Sequence, residues 1–125
     1  MKTSSKIYLA DSQIKSAGRG VFASRKIKKD ETIEVCPVIL LEGEGEKLRR
    51  SELYHYYFIW DKQPDAAIAL GFGSLYNHSY SPNATYKKHV SAKTLEIIAV
   101  RDIEKNEEIT INYKYGDPNM SLRFD

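Results

Sequence analysis

The sequence predicts a mainly β domain of many short strands and one or two short helices, without alternation of strand and helix. Three observations carry this. Short apolar stretches with alternating polar residues are punctuated by Gly, Asn, Asp and Ser. A nine-residue pattern occurs twice, as RKIKKDETI at 25–33 and RDIEKNEEI at 101–109, sharing Arg, Ile, Lys, Glu and Ile. Helical spacing of apolar residues is confined to one stretch, 51–60.

In chain order, KIYLAD (6–11) and GVFASR (20–25) read as short strands, separated by a polar turn through Ser16, Ala17 and Gly18. The first copy of the repeat puts Asp30 where a tight turn wants positive φ, which Asp and Asn tolerate better than most residues. It feeds a strand, TIEVCPVILL (32–41), followed by a GEGE loop at 43–46. SELYHYYFIW (51–60) predicts a helix with Ser51 as N-cap and Leu53, Tyr54, Tyr57 and Phe58 on one face. ALGFGSLY (69–76) reads as a buried segment. ATYKKHV (84–90) and KTLEIIAV (93–100) alternate as a hairpin turning across 89–93. The second copy places Asn106 at the same turn and feeds EITINYKY (108–115), before an irregular tail. Two copies are too few for a solenoid and mark two similar corners of one fold.

At 125 residues, with 42% hydrophobic and 29% charged, the chain fits one domain with a modest core and is not of disordered composition. The expected unit is a single domain over 1–125, its core at about 6–117 and a tail at 118–125. There is no long apolar run, and MKTSSKIYLAD lacks a signal-peptide core, so a soluble intracellular protein is expected. Cys36 is alone, which excludes an internal disulfide; with three scattered histidines it makes no spaced metal-ligand set. It reads as a small buried hydrophobe. A net charge of +2, with acids and bases interleaved, gives no nucleic-acid footprint, and no membrane association is expected.

Three groups offer chemistry. In SAGRG, Gly18 and Gly20 flank Arg19, where a backbone without Cβ can approach a ligand or simply turn. In SLYNHS, Asn77 carries the donor and acceptor that an adenine edge or an amino-carboxylate group requires. His78 offers a base, yet no Ser or Cys stands at triad spacing, and structural roles for both residues serve equally well. In EEITINYKY, Tyr113 and Tyr115 share one strand face, a pattern that is usually packing.

The order of these groups is more specific than any one of them. G-x-G, then Tyr-x-Phe at 56–58, then NHS-x-x-PNA at 77–84, then EEITINY at 107–113 together resemble the SET-domain protein lysine methyltransferases. The similarity covers about 6–117 and is strongest to short stand-alone SET proteins of bacteria and large viruses. Where that family carries Lys-Gly-Glu at both corners, Asp30 and Asn106 stand here.

The resemblance implies a β-clip-like SET fold of several short sheets, a knot-like C-terminal threading, and ALGFGSLY as a buried strand delivering polar groups to the centre. It implies S-adenosylmethionine as cofactor, with Gly18, Arg19 and Gly20 at its methionine end and Asn77 and His78 at its amino and adenine groups. Tyr113 matches the active-site tyrosine and Tyr56 an aromatic lining the lysine channel. Phe58, Gly73 and Ile111 fall on the substrate side, Ile111 at a position linked to product specificity. With no Cys-rich zinc tail, Tyr115 and Phe124 stand as substitute cofactor contacts. The implied partner is a protein with an exposed lysine, a histone tail or another basic DNA-associated protein. A homodimer is left open. The implied location is the cytoplasm in a bacterium, or chromatin if histones are the substrate. The competing reading is a catalytically idle SET module that serves as a protein-binding platform.

Overall fold

The computed structural model describes residues 4–14, 17–53, 56–60 and 65–113. Their strands are β1 (Ile7–Asp11), β2 (Arg19–Ala23), β3 (Thr32–Leu41), β4 (Tyr57–Ile59), β5 (Ala66–Ala69), β6 (Asn77–His78), β7 (Ala84–His89), β8 (Thr94–Ala99) and β9 (Glu108–Ile111); α1 (Gly45–Arg49) is a short helix. Two sheets form, ordered β1-β2-β9-β6 and β4-β5-β3-β8-β7. The mainly β expectation holds.

Alternation explains the larger sheet. In β8, Leu95, Ile97 and Ala99 are buried while their neighbours are half-exposed, and in β7 Ala84 and Tyr86 face the same way. These strands form the expected hairpin, with Lys93 at positive φ closing its turn. The core lies between the sheets, with Val21, Ile109 and Ile111 from one packing against Ile33, Cys36 and Ile97 from the other.

The two repeats are the two corners expected, with Asp30 at φ 71° and Asn106 at φ 68°. They clasp each other. Ile27 and Ile103 exchange both backbone hydrogen bonds at 2.8 Å. The Asp30 amide donates to the Ala99 carbonyl (2.8 Å), and the Asn106 amide to that of Ala23 (2.7 Å). Glu31 closes its own turn by accepting from the Lys28 amide at 3.0 Å, and Glu107 does the same for Glu104 at 3.0 Å.

Three local expectations are corrected. The helix precedes Ser51, whose hydroxyl donates to the Leu48 carbonyl (2.8 Å) and accepts from the Leu53 amide (3.0 Å), so Ser51 closes a helix and does not open one. Tyr57 and Phe58 lie in β4 because β5 offers them an edge, and strand pairing overrides the helical spacing. ALGFGSLY is not one strand: β5 ends at Ala69, and a turn follows with Gly71 at φ 63°. That turn packs so tightly that a Cβ on Gly73 would stand 2.6 Å from Ala69 Cβ and 2.8 Å from Cys36 Sγ. Tyr54, Ser16, Tyr115, Phe124 and the C-terminal threading lie outside the described residues. No helix among the described residues is long and apolar enough to cross a membrane.

Candidate active site

The site is built where β6, only two residues long, runs parallel to β9, with Asn77 opposite Thr110 and His78 opposite Ile111. Successive strand residues point to opposite faces, so Asn77 and His78 serve two different clusters.

On the Asn77 side, its amide nitrogen donates to the Arg19 carbonyl (3.0 Å) and to Glu108 Oε2 (2.9 Å). Glu108 also accepts from the Ser12 hydroxyl, at 2.8 Å to Oε1 and 2.9 Å to Oε2. Gly20 is what lets these groups meet. A Cβ there would strike Glu108 Oε2 and stand 2.9 Å from Asn77 Nδ2. Gly18 differs, with φ 74° and no described atom within 4 Å of where its Cβ would stand. Among the described residues, the cradle is therefore packed at Gly20 and open at Gly18.

On the His78 side, β9 ends at Ile111, so Tyr113 lies beyond the strand on which it was expected. It is held instead by two bonds. Its amide donates to His78 Nδ1 (3.0 Å), and its hydroxyl donates to the Tyr76 carbonyl (2.6 Å). An N–H donor at Nδ1 leaves the proton of the neutral ring on Nε2. His78 also meets Tyr113 at 5.1 Å between ring centroids and the exposed Tyr80 edge-on at 4.3 Å. Burial, then the neighbouring Tyr56 and Glu108, push the Tyr113 phenol well above its ordinary range, so it is neutral at physiological pH. With its proton committed to Tyr76, its oxygen presents lone pairs.

Behind Tyr76 stands Glu34, only 8% exposed. It accepts from the Tyr76 hydroxyl at 2.8 Å and from the Phe72 amide at 3.0 Å. This buried carboxylate fixes both the turn and the tyrosine whose carbonyl receives Tyr113. Burial, then Glu34, push the Cys36 thiol far up, which fits an inert core residue.

Gly20, Arg19, Asn77, His78 and Tyr113 thus come together, with Tyr56 (44% exposed) beside Tyr113. Phe58 packs edge-on against Tyr86 at 5.0 Å, Gly73 against Cys36, and Ile111, 1% exposed, in the core. Ser12, Glu34 and Glu108 were not anticipated. For Glu108 a signal existed: the repeat carries Thr32 at the matching place in its first copy, and the second copy departs from it. Among the described residues, no group of three or more His, Cys, Asp or Glu stands together as a metal site.

The residues present fit S-adenosylmethionine. A backbone cradle, an amide oxygen and a carboxylate suit the ammonium of its amino-acid end, and the half-buried rings of His78 and Tyr113 lie on the other face of β6.

The family model described as SET domain matches residues 18–114. The histone-lysine N-methyltransferase, H3 lysine-37 specific, of Schizosaccharomyces pombe is 34% identical over 98 residues, 77% of this chain and 66% of that protein. The variant-silencing SET domain-containing protein of Plasmodium falciparum is 33% identical over 128 residues, covering 89% of this chain and 5% of that protein. The chain thus spans just under two thirds of the first relative and a small part of the second. The crystal structure of a Plasmodium falciparum protein described as a candidate histone methyltransferase matches with 32% identity and TM-score 0.73, covering 92% of this chain and 96% of that one. A chain of the Chaetomium thermophilum Polycomb Repressive Complex 2, bound to S-adenosylmethionine, matches in fold alone, with 24% identity and TM-score 0.70 over 94% of this chain and 16% of that one.

Proposed function

The chain belongs to the SET-domain family, and from that premise we propose that it methylates a lysine side chain of a protein, using S-adenosylmethionine. The substrate class is a histone tail or another basic protein, which would place the activity at chromatin where histones are present. One observation carries the reading: β6 joins the Asn77 cradle to the doubly held Tyr113 within two residues.

When bound, the cofactor supplies an electrophilic methyl group on a sulfonium. Gly18, Arg19, Gly20 and Asn77 hold its methionine end and His78 its adenine side. The remaining work belongs to the chain. A lysine ammonium has a reference pKa of about 10.4 and must arrive neutral. Aromatic walls at Tyr56 and Tyr113 desolvate it and favour loss of the proton. The Tyr113 oxygen accepts an N–H from the amine and so turns the amine lone pair away from itself. Tyr76, braced by Glu34, keeps that oxygen in place. Alignment of this kind lowers a barrier by roughly 7–11 kcal/mol in well-oriented systems.

The test incubates the protein with tritiated S-adenosylmethionine and histones, and maps labelled lysines by mass spectrometry. Lysine labelling that Tyr113→Phe abolishes is expected. Tight cofactor binding without transfer to any histone or basic protein would overturn the reading in favour of an idle binding module.

A further inference from the structure

Glu108 carries a carboxylate that no described cation neutralises. Among the described residues no ion pair includes it, although Glu31 and Glu107, in the same two corners, both have an arginine partner. Its hydrogen bonds come from Ser12 and Asn77, two neutral groups on separate segments.

The polarity of Asn77 follows from its partners. The Arg19 carbonyl can only accept, so the amide nitrogen must face it, and the Glu108 carboxylate accepts from the same nitrogen. Both N–H bonds are then committed, and Oδ1 is the atom left to meet a ligand. A ligand group at that face must donate, and a carboxylate one bond behind it favours a cation.

We infer that Glu108 is a specificity-determining residue: by locking the Asn77 amide and supplying negative charge, it makes the site select a ligand bearing an ammonium beside its reactive end. This rests on the cofactor reading above, in which that group is the α-ammonium of S-adenosylmethionine. Gly20 belongs to the same device, since any side chain there would displace Glu108 and Asn77.

The test uses calorimetry with two stable ligands, S-adenosylhomocysteine and its analogue with hydrogen in place of the α-amino group. Wild-type protein should prefer the amine by about tenfold to a hundredfold, the range of a charge-assisted hydrogen bond. Glu108→Gln should bind S-adenosylhomocysteine more weakly and discriminate by less than about threefold, because a neutral amide restores shape but not charge. Should that variant fold poorly, Glu108→Thr installs the residue that the first copy of the corner already carries, and the same loss of preference is expected. Thr32→Ala, in the first corner and away from the site, should keep the preference. Full wild-type discrimination in either folded Glu108 variant would overturn the inference. Failure of the wild-type protein to bind S-adenosylhomocysteine at all would remove the cofactor reading itself, and this inference with it.

Discussion

The two corners at 25–33 and 101–109 share a backbone and differ in what they are used for. Each has an aspartate or asparagine at positive φ, a glutamate closing its turn, an arginine on that glutamate, and an isoleucine bonded to its counterpart. The difference sits one residue later. Thr32 donates to Glu96 (2.5 Å) on a surface that also holds His89, while Glu108 reaches across to Asn77 and Ser12. One geometry thus serves twice, and a single side chain converts a structural corner into a wall of the site. Identical backbone hydrogen bonding does not imply identical duty.

That contrast can be broken most sharply downstream of the second corner. Tyr113→Phe keeps the ring and its packing but removes the bond to Tyr76. Thermal stability and cofactor binding should change little, while kcat should fall at least about a hundredfold, equivalent to about 2.7 kcal/mol of barrier. Single-turnover kinetics with circular dichroism of the variant check this. Equal losses of stability and activity would return Tyr113 to the core.

Asn77→Ala should come next. It leaves the Arg19 carbonyl and Glu108 short of a donor, and cofactor affinity should drop about five- to a hundredfold, the consequence of about 1–3 kcal/mol. Calorimetry reads the loss. The first corner offers a control, because Thr32→Ala cuts only the bond to Glu96 and should leave affinity unchanged.

Acid separates the corners more gently. The Lys6 ammonium, then Arg25 and the Lys28 amide, hold the Glu31 carboxyl down at about 2, from an ordinary 4.5. Its folded value lies below its unfolded one, so its contribution is complete above pH 4.5 and is lost as pH falls toward 2. Glu107 is lowered too, but burial opposes the bonds from Glu104, Asn83 and Arg101. Glu31→Gln should therefore melt below wild type at pH 7 and converge with it near pH 2, with a smaller gap for Glu107→Gln. Calorimetric melting points at both pH values test the order.

The smallest effect concerns the turns themselves. Asp30→Gly should stabilise by several tenths of a kcal/mol, since glycine takes positive φ without a Cβ penalty. Asn106→Gly should gain less, because it forfeits the 2.9 Å bond from the Tyr8 hydroxyl. Paired denaturant titrations resolve the difference.

Local chemistry made much of this legible in the sequence. Asp30 and Asn106 announced positive φ, the alternation of 84–100 announced a hairpin, and the order of short motifs pointed to the family. Failures came where a distant partner decides. Tyr57 and Phe58 had helical spacing, but the edge of β5 claimed them. Glu108 looked like one more surface acid of a polar corner until the fold brought it to Asn77 and to Ser12, 31 and 96 residues away. Glu34 was one polar residue inside an apolar strand, and its meaning depends on Tyr76, 42 positions on.

The clasp between Ile27 and Ile103 has a consequence for time. Contacts between such distant positions require a long loop to close before they return any stability, and folds dominated by them form in milliseconds to seconds. The Asn77 cradle draws on Ser12 just after β1 and on β2, β6 and β9, so it is complete only after the distant segments have docked. Cofactor should therefore recognise the finished molecule and none of its precursors. Added during stopped-flow refolding, it should leave the folding rate unchanged; added to the native protein, it should slow unfolding, because its contacts are absent from the transition state.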